Sequence, residues 1–202
     1  LTDIRFITPN ALAYDSIEGR SLNLNSIFSL LEGIKKIIGK SGRIFFGSFP
    51  SEIRPEFITL ESILILKKFS DSKTLVFGGQ TGSNRLLKTL HRGHSREQVF
   101  SAIDLAIQNG FQVAVDFIFG LPGENEDDEK ETAQFMKKLI MRGAKIHAHS
   151  FLPLPGTHFH DAQPAIISPF LRHFLGKIAR DGFLFGQWQT QEILAYTIKK
   201  DY

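Results

Sequence analysis

The chain of 202 residues contains no cysteine. That absence excludes disulfides, a thiol nucleophile and any thiolate-held metal or cluster made by this chain alone. No apolar run approaches the ~20 residues that a membrane-spanning helix needs. Charge of one sign is also lacking: 24 basic side chains face 21 acidic ones, for a formal net charge of +3. The positive residues are scattered, so they form no nucleic-acid footprint. Tryptophan and tyrosine are scarce, one and three against 19 Phe, which points to a core of aromatic rings with few polar handles. Methionine occurs only at Met136 and Met141, and the chain opens on Leu1, so it reads as a piece of something longer. What is present is globular: 42% hydrophobic and 22% charged residues, at a length that fits one domain with a real core.

Strand-like and helix-like segments alternate. Short β-branched or aromatic runs fall at residues 4–7, 43–46, 74–77, 113–118 and 145–149. Between them, Ile27, Leu30, Leu31, Ile34 and Ile38 keep helical spacing, as do Leu60, Ile63 and Leu64. A helix over about 96–109 opens on Ser95 and Gln98 and stops at Gly110. The next, near 126–142, has Asp127, Asp128 and Glu129 at its start and Lys137, Lys138 and Arg142 towards its end, matching the helix dipole. Phe170, Leu171, Phe174, Leu175 and Ile178 make an amphipathic helix after Ser168-Pro169, and Trp188 opens another as a docking residue. Five strands alternating with helices imply βα units and a parallel sheet, open or barrel. Each strand runs into a loop of Gly, Pro and polar residues, beginning with Thr8-Pro9-Asn10, and ligand sites in parallel α/β folds lie at those strand ends.

Several loops carry chemistry with two readings each. The glycines of Gly78-Gly79-Gln80-Thr81-Gly82-Ser83-Asn84 suit a phosphate cradle or a tight βα turn. Arg92, in His91-Arg92-Gly93-His94, suits a bidentate carboxylate clamp or a helix cap. Asp116 is an acid inside an apolar strand and is expected to face a ligand or a basic side chain. His147 and His149 are two apart on a strand and so face the same way, with His158 and His160 following. Four histidines in fourteen residues suit a metal or a polar lining, but no nearby carboxylate or cysteine completes a known spacing, and no metal is assigned to this chain.

The order of these motifs is more specific than any one of them. Gly79-Gln80-Thr81-Gly82-Ser83, Arg92-Gly93-His94, Asp116-Phe117-Ile118-Phe119-Gly120-Leu121-Pro122-Gly123-Glu124 and Leu154-Pro155-Gly156-Thr157 resemble the radical S-adenosylmethionine (SAM) superfamily over about residues 4–160. The pattern is similar to the tRNA methylthiotransferases. It is closer still to cobalamin-binding radical SAM proteins, which also resemble it at Phe49-Pro50-Ser51-Glu52-Ile53-Arg54 and at Lys145-Ile146-His147-Ala148-His149.

The resemblance implies an α/β fold: a partial (β/α)6 TIM-like barrel lacking its first strand, residues 1–160 supplying strands two to six and residues 161–202 a C-terminal helical extension. It implies an enzyme whose 4Fe–4S cluster sits on a C-x-x-x-C-x-x-C loop, expected upstream of Leu1. There SAM would be cleaved to a 5′-deoxyadenosyl radical for methyl transfer or C–H functionalisation, with cobalamin held by an upstream domain. The alternatives are a tRNA methylthiotransferase-like fragment and a βα-barrel enzyme for a phosphorylated metabolite. Without the cysteine loop, the fragment alone is expected to be inactive. By resemblance, Gln80 and Asp116 face the ribose, with Thr81 beside Gln80. Arg92 takes the methionyl carboxylate, and Ile118, Gly120, Pro122, Leu152 and Pro153 surround the adenine. Glu52, His147 and His149 fall on the substrate side. A small-molecule substrate and an electron donor are the implied partners, nucleic acid and membrane are not, and oxygen-sensitive chemistry without disulfides suggests the cytoplasm.

Overall fold

A computed structural model describes residues 3–8, 10–163 and 166–201; Leu1 and Pro9, both used above, lie outside them. All five expected strands form: β1 (Asp3–Arg5), β2 (Arg43–Phe45), β3 (Thr74–Gln80), β4 (Gln112–Phe119) and β5 (Lys145–Ser150). A sixth, β6 (Leu184–Phe185), is only two residues long and has no legible sequence period. Seven α-helices lie between and after the strands among the described residues: α1 (Leu24–Ile38), α2 (Leu60–Phe69), α3 (Asn84–Thr89), α4 (Arg96–Gln108), α5 (Glu126–Met141), α6 (Pro169–Arg180) and α7 (Trp188–Asp201).

β1 and β2 pair in parallel, with Ile4 opposite Ile44. The remaining strands form one sheet in the order β3-β4-β5-β6, and β5 and β6 are parallel with Ile146 opposite Leu184. Strands in chain order with helices between them are the expected βα arrangement. Among the described residues they form two sheets rather than one closed ring. β4 is buried along Val113–Phe117, the near-continuous apolar run of a strand covered on both faces, and Asp116 sits inside it.

Local chemistry explains the helix limits. Asn23 caps α1 by accepting from the Ser26 amide at 3.2 Å, and Thr59 and Ser62 form a reciprocal capping box on α2. Of the expected α1 stripe, Ile27 and Leu31 are fully buried. On α2 the apolar face differs from expectation. Ile63, Leu66 and Phe69 are buried while Leu60 and Leu64 stay half exposed, because the buried stripe turns around Ile63 rather than bridging its neighbours. Asn125 and Asp128 form the box that opens α5. Ser168 and Pro169 open α6, whose Leu171, Phe174, Leu175 and Ile178 are buried while Phe170 is exposed.

The chain packs as two compact units, Leu1–Gly78 with Glu97–Ala114, and Gly79–Arg96 with Val115–Tyr202. The first holds β1, β2, α1, α2 and α4 around Phe46, Ile53 and Phe77, with Ile53 bridged to Phe77. The second holds α3, α5, β5, α6, β6 and α7 around Phe117, Phe119 and Phe135. No helix among the described residues is long and apolar enough to cross a membrane.

Candidate functional site

Most of the expected site residues belong to the second unit, at the ends of β3, β4 and β5. Glu52 belongs to the first unit, where its carbonyl accepts from the Ala11 amide at 3.2 Å.

Gln80 ends β3 buried and with φ at 65°, a left-handed conformation that a residue with a side chain rarely adopts. The next three residues are consumed by packing. The Gly82 amide donates to Thr132 Oγ1 at 2.9 Å, the Ser83 amide to Thr81 Oγ1 at 3.2 Å, and the Thr81 amide to the Gly79 carbonyl at 2.8 Å. The Thr81 hydroxyl also lies 3.1 Å from that of Thr132. A Cβ on Gly82 would fall 2.5 Å from the Thr132 Cα, so only glycine lets this turn reach α5. The loop is therefore a tight βα turn, and the phosphate cradle loses its donors.

Ser83 caps α3 and donates to Asp128 Oδ1 at 2.6 Å, while Arg85 pairs with the same carboxylate and donates to the Gly123 carbonyl at 2.8 Å. Burial pushes the Asp128 carboxyl up, but the bonds from Arg85, Ser83 and the Asn125 amide outweigh it and hold it below the usual range. Glu129 Oε1 accepts from the Ser168 amide at 2.9 Å. Two acids of the 124–129 run are thus buried fixings, beyond the dipole role expected of them.

The Gly120–Glu124 loop closes on itself. Glu124 Oε2 accepts from the Gly120 and Leu121 amides at 2.6 and 3.2 Å, and its Oε1 is buried. Burial, against those two amides, raises the Glu124 carboxyl to about 7. The sequence reading quoted this residue without giving it a role; an acid four residues after a strand-end glycine was the available signal. The Phe151 amide donates to the Phe119 carbonyl at 2.8 Å, which sets Leu152 and Pro153 beside the Ile118–Gly120 end of β4. Ile118, Pro122 and Leu152 are half-buried, Pro153 is buried, and Arg92 is half-buried in the turn between α3 and α4.

A polar cluster lies on one face of the sheet. Asp116 Oδ1 is 2.9 Å from His147 Nδ1, and His149 Nε2 is 3.2 Å from the same nitrogen. Phe185 stacks on His147 at 4.6 Å between ring centroids. β6 approaches this closely because Gly186 has no Cβ: one would sit 2.3 Å from the Ala148 carbonyl. Gln191 accepts the Ser150 amide at 3.0 Å and turns its NH2 towards His149 Nδ1 at 3.4 Å, while Ser150 Oγ donates to the Trp188 carbonyl at 2.8 Å. Trp188 is buried as a docking residue of α7. His147 and His149 share a face as their spacing required. His158 and His160 are exposed, and His160 pairs with Asp161.

A group able to hold a metal ion thus exists among the described residues: Asp116, His147 and His149, with donor atoms all within 4.8 Å of one another. The carboxylate missing from the local spacing comes from the neighbouring strand. A 4Fe–4S cluster does not fit this chain, which has no thiolate to offer it.

Comparison with known proteins agrees with the fold. Over 169 residues the chain is 28% identical to the tRNA-2-methylthio-N(6)-dimethylallyladenosine synthase of Thermotoga petrophila, covering 80% of this chain and 36% of that protein. It is 25% identical over 135 residues to an uncharacterised protein of Methanopyrus kandleri, covering 66% and 26%. The chain thus spans about a quarter to a third of these relatives' length. Among solved structures it is similar to coproporphyrinogen III oxidase of Escherichia coli, a radical SAM enzyme, with a TM-score of 0.59 and 18% identity over 78% of this chain and 36% of that one. It is also similar to the radical SAM methyltransferase TsrM of Kitasatospora setae, solved with cobalamin and a [4Fe-4S] cluster, with a TM-score of 0.51 and 13% identity over 73% and 27%. Residues 19–136, more than half of the chain, match the family model described as the radical SAM superfamily, and the chain belongs to that superfamily.

Proposed function

We propose that this chain is the SAM-binding part of a radical SAM enzyme that functionalises a C–H bond or transfers a methyl group. The reading is carried by the superfamily match together with one structural observation: the β4 and β5 ends are tied by the Phe151–Phe119 bond beside the closed Gly120–Glu124 loop.

The donor set at these strand ends suits SAM. Gln80, buried and held in a strained backbone conformation, offers an amide to ribose hydroxyls. Arg92 supplies the charge and the planar fork for a carboxylate. Ile118 and Leu152 offer apolar surface to an adenine ring, and Gly120 lets backbone approach it closely. Thr81 supports Gln80 through its bond to Thr132 and makes no ligand contact in this scheme. Asp116, oriented by the contact of its Oδ1 with His147, is placed with Gln80 at the ribose. When bound beside a reduced cluster, SAM supplies radical chemistry through reductive cleavage of its sulfonium; the chain's residues orient it and exclude water. The cluster's thiolates come from sequence other than these 202 residues, and cobalamin remains a proposed further cofactor.

Methylthiolation of tRNA is the second reading, favoured by the 28% identity to the Thermotoga enzyme. A modified small molecule or a modified tRNA base as product separates the two.

The test is SAM affinity, by anaerobic calorimetry on the complete reading frame that encodes this chain. Gln80→Ala and Arg92→Ala are each expected to weaken binding at least tenfold, about 1.4 kcal/mol. Unchanged affinity in both would remove this pocket assignment.

A further inference from the structure

We propose that His147 is a positioning residue of the SAM pocket: it aims the Asp116 carboxylate at the ribose hydroxyls, and β6 seats the ring that does so. This role rests on the pocket assigned above and adds to it a side chain that acts through Asp116 rather than on SAM.

Asp116 stands on β4, between β3, which ends at Gln80, and β5, which carries His147. β3 and β4 approach closely there, since a Cβ on Gly79 would fall 2.5 Å from Val115 Cγ1. An acid only 3% exposed in an apolar strand stays ionised only when hydrogen bonds hold it. His147 supplies one: its Nδ1 donates to Asp116 Oδ1 at 2.9 Å, because an ionised carboxylate only accepts. Bonds to an ionised acceptor are among the stronger side-chain bonds, so this one fixes the plane of the carboxylate. The two oxygens offer about four acceptor sites, so the bond turns the group without exhausting it. Ribose hydroxyls are donors of the kind such a group accepts.

The imidazole is itself held. Phe185 stands opposite His147 in the β5–β6 register and stacks on its ring, with centroids 4.6 Å apart and an interplanar angle of 11°. His149 meets the ring edge-on, with centroids 4.1 Å apart at 69°. A Cβ on Gly186 would fall 3.0 Å from His147 Cδ2, so a side chain there would crowd the ring. Phe185 stays 47% exposed, so its packing is on the imidazole rather than in a core. A ring fixed in this way orients the carboxylate before the ligand arrives, and less freedom is lost on binding. The short β6 thereby reaches the ribose through one side chain.

The test is anaerobic calorimetry on the product of the complete reading frame, with SAM and with an analogue whose ribose lacks both hydroxyls. His147→Ala should weaken SAM about tenfold, while His147→Asn, whose NH2 restores a donor near the Nδ1 position, should stay within about threefold of the parent. Against the hydroxyl-free analogue the parent and His147→Ala should bind alike, a readout that lost packing alone would not give. Phe185→Ala should show the same preference for the hydroxyl-bearing ligand lost, with a smaller fall in affinity. Asp116→Ala should weaken SAM at least as much as His147→Ala, and the double variant no further. Parental affinity in His147→Ala beside a weakened Asp116→Ala would overturn the role of His147 and leave the pocket standing. A loss equal for both ligands, or one that His147→Asn does not relieve, would overturn it as well. Unchanged affinity in Asp116→Ala would remove that residue from the ribose, and the positioning role with it.

Discussion

Glu124 folds back on its own loop, with Oε2 on the amides of Gly120 and Leu121 and Oε1 buried. Burial outweighs the two amides and lifts its carboxyl from an unfolded value of 4.5 to about 7. The unfolded chain then loses its proton before the folded one. This group's contribution is fully present below about pH 4.5, falls as pH rises towards 7, and levels off above that. Urea unfolding between about pH 5 and pH 8 should show a loss of at most about 3 kcal/mol that Glu124→Gln largely removes. An identical pH slope in the two proteins would show that the carboxyl is ionised throughout. Asp116 marks the limit of sequence reading at this scale. An acid in an apolar strand was visibly anomalous, but its partners lie 31 and 33 residues further on, and only strand pairing brings them together.

Among the elements, caps and breaks were legible because they are local. Ser168 with Pro169 and the α4 stop before Gly110 each rest on residues within one turn. β6 was not legible, since two residues carry no period and their strand exists only because Gly186 permits close approach to β5. The Gly79–Ser83 loop was ambiguous for a related reason. Its glycines fit a ligand cradle equally well until Thr132, about fifty residues later, takes the Gly82 amide. Gly82→Ala would drive a Cβ against the α5 backbone, so it should destabilise the protein by about 1–3 kcal/mol in thermal or urea unfolding. Gly33→Ala, with open space around it and no left-handed φ, serves as the comparison for an added methyl that meets nothing. A Gly82→Ala protein no less stable than that variant would mean that the α5 contact is not tight.

At the scale of the whole molecule, the order of four motifs identified the superfamily, and the parallel strands with their intervening helices agree with it. Composition carried an equally firm statement: a chain without cysteine has no thiolate to hold a 4Fe–4S cluster. What sequence order could not supply is the division into two units and the assembly of the histidine cluster, both products of contacts distant along the chain. The most direct measurement is 5′-deoxyadenosine formation by the product of the complete reading frame, reconstituted anaerobically with iron, sulfide, SAM and a strong reductant. The account predicts 5′-deoxyadenosine that depends on the reductant and falls at least tenfold in Arg92→Ala. A cluster-loaded protein that binds SAM but releases no 5′-deoxyadenosine would contradict it.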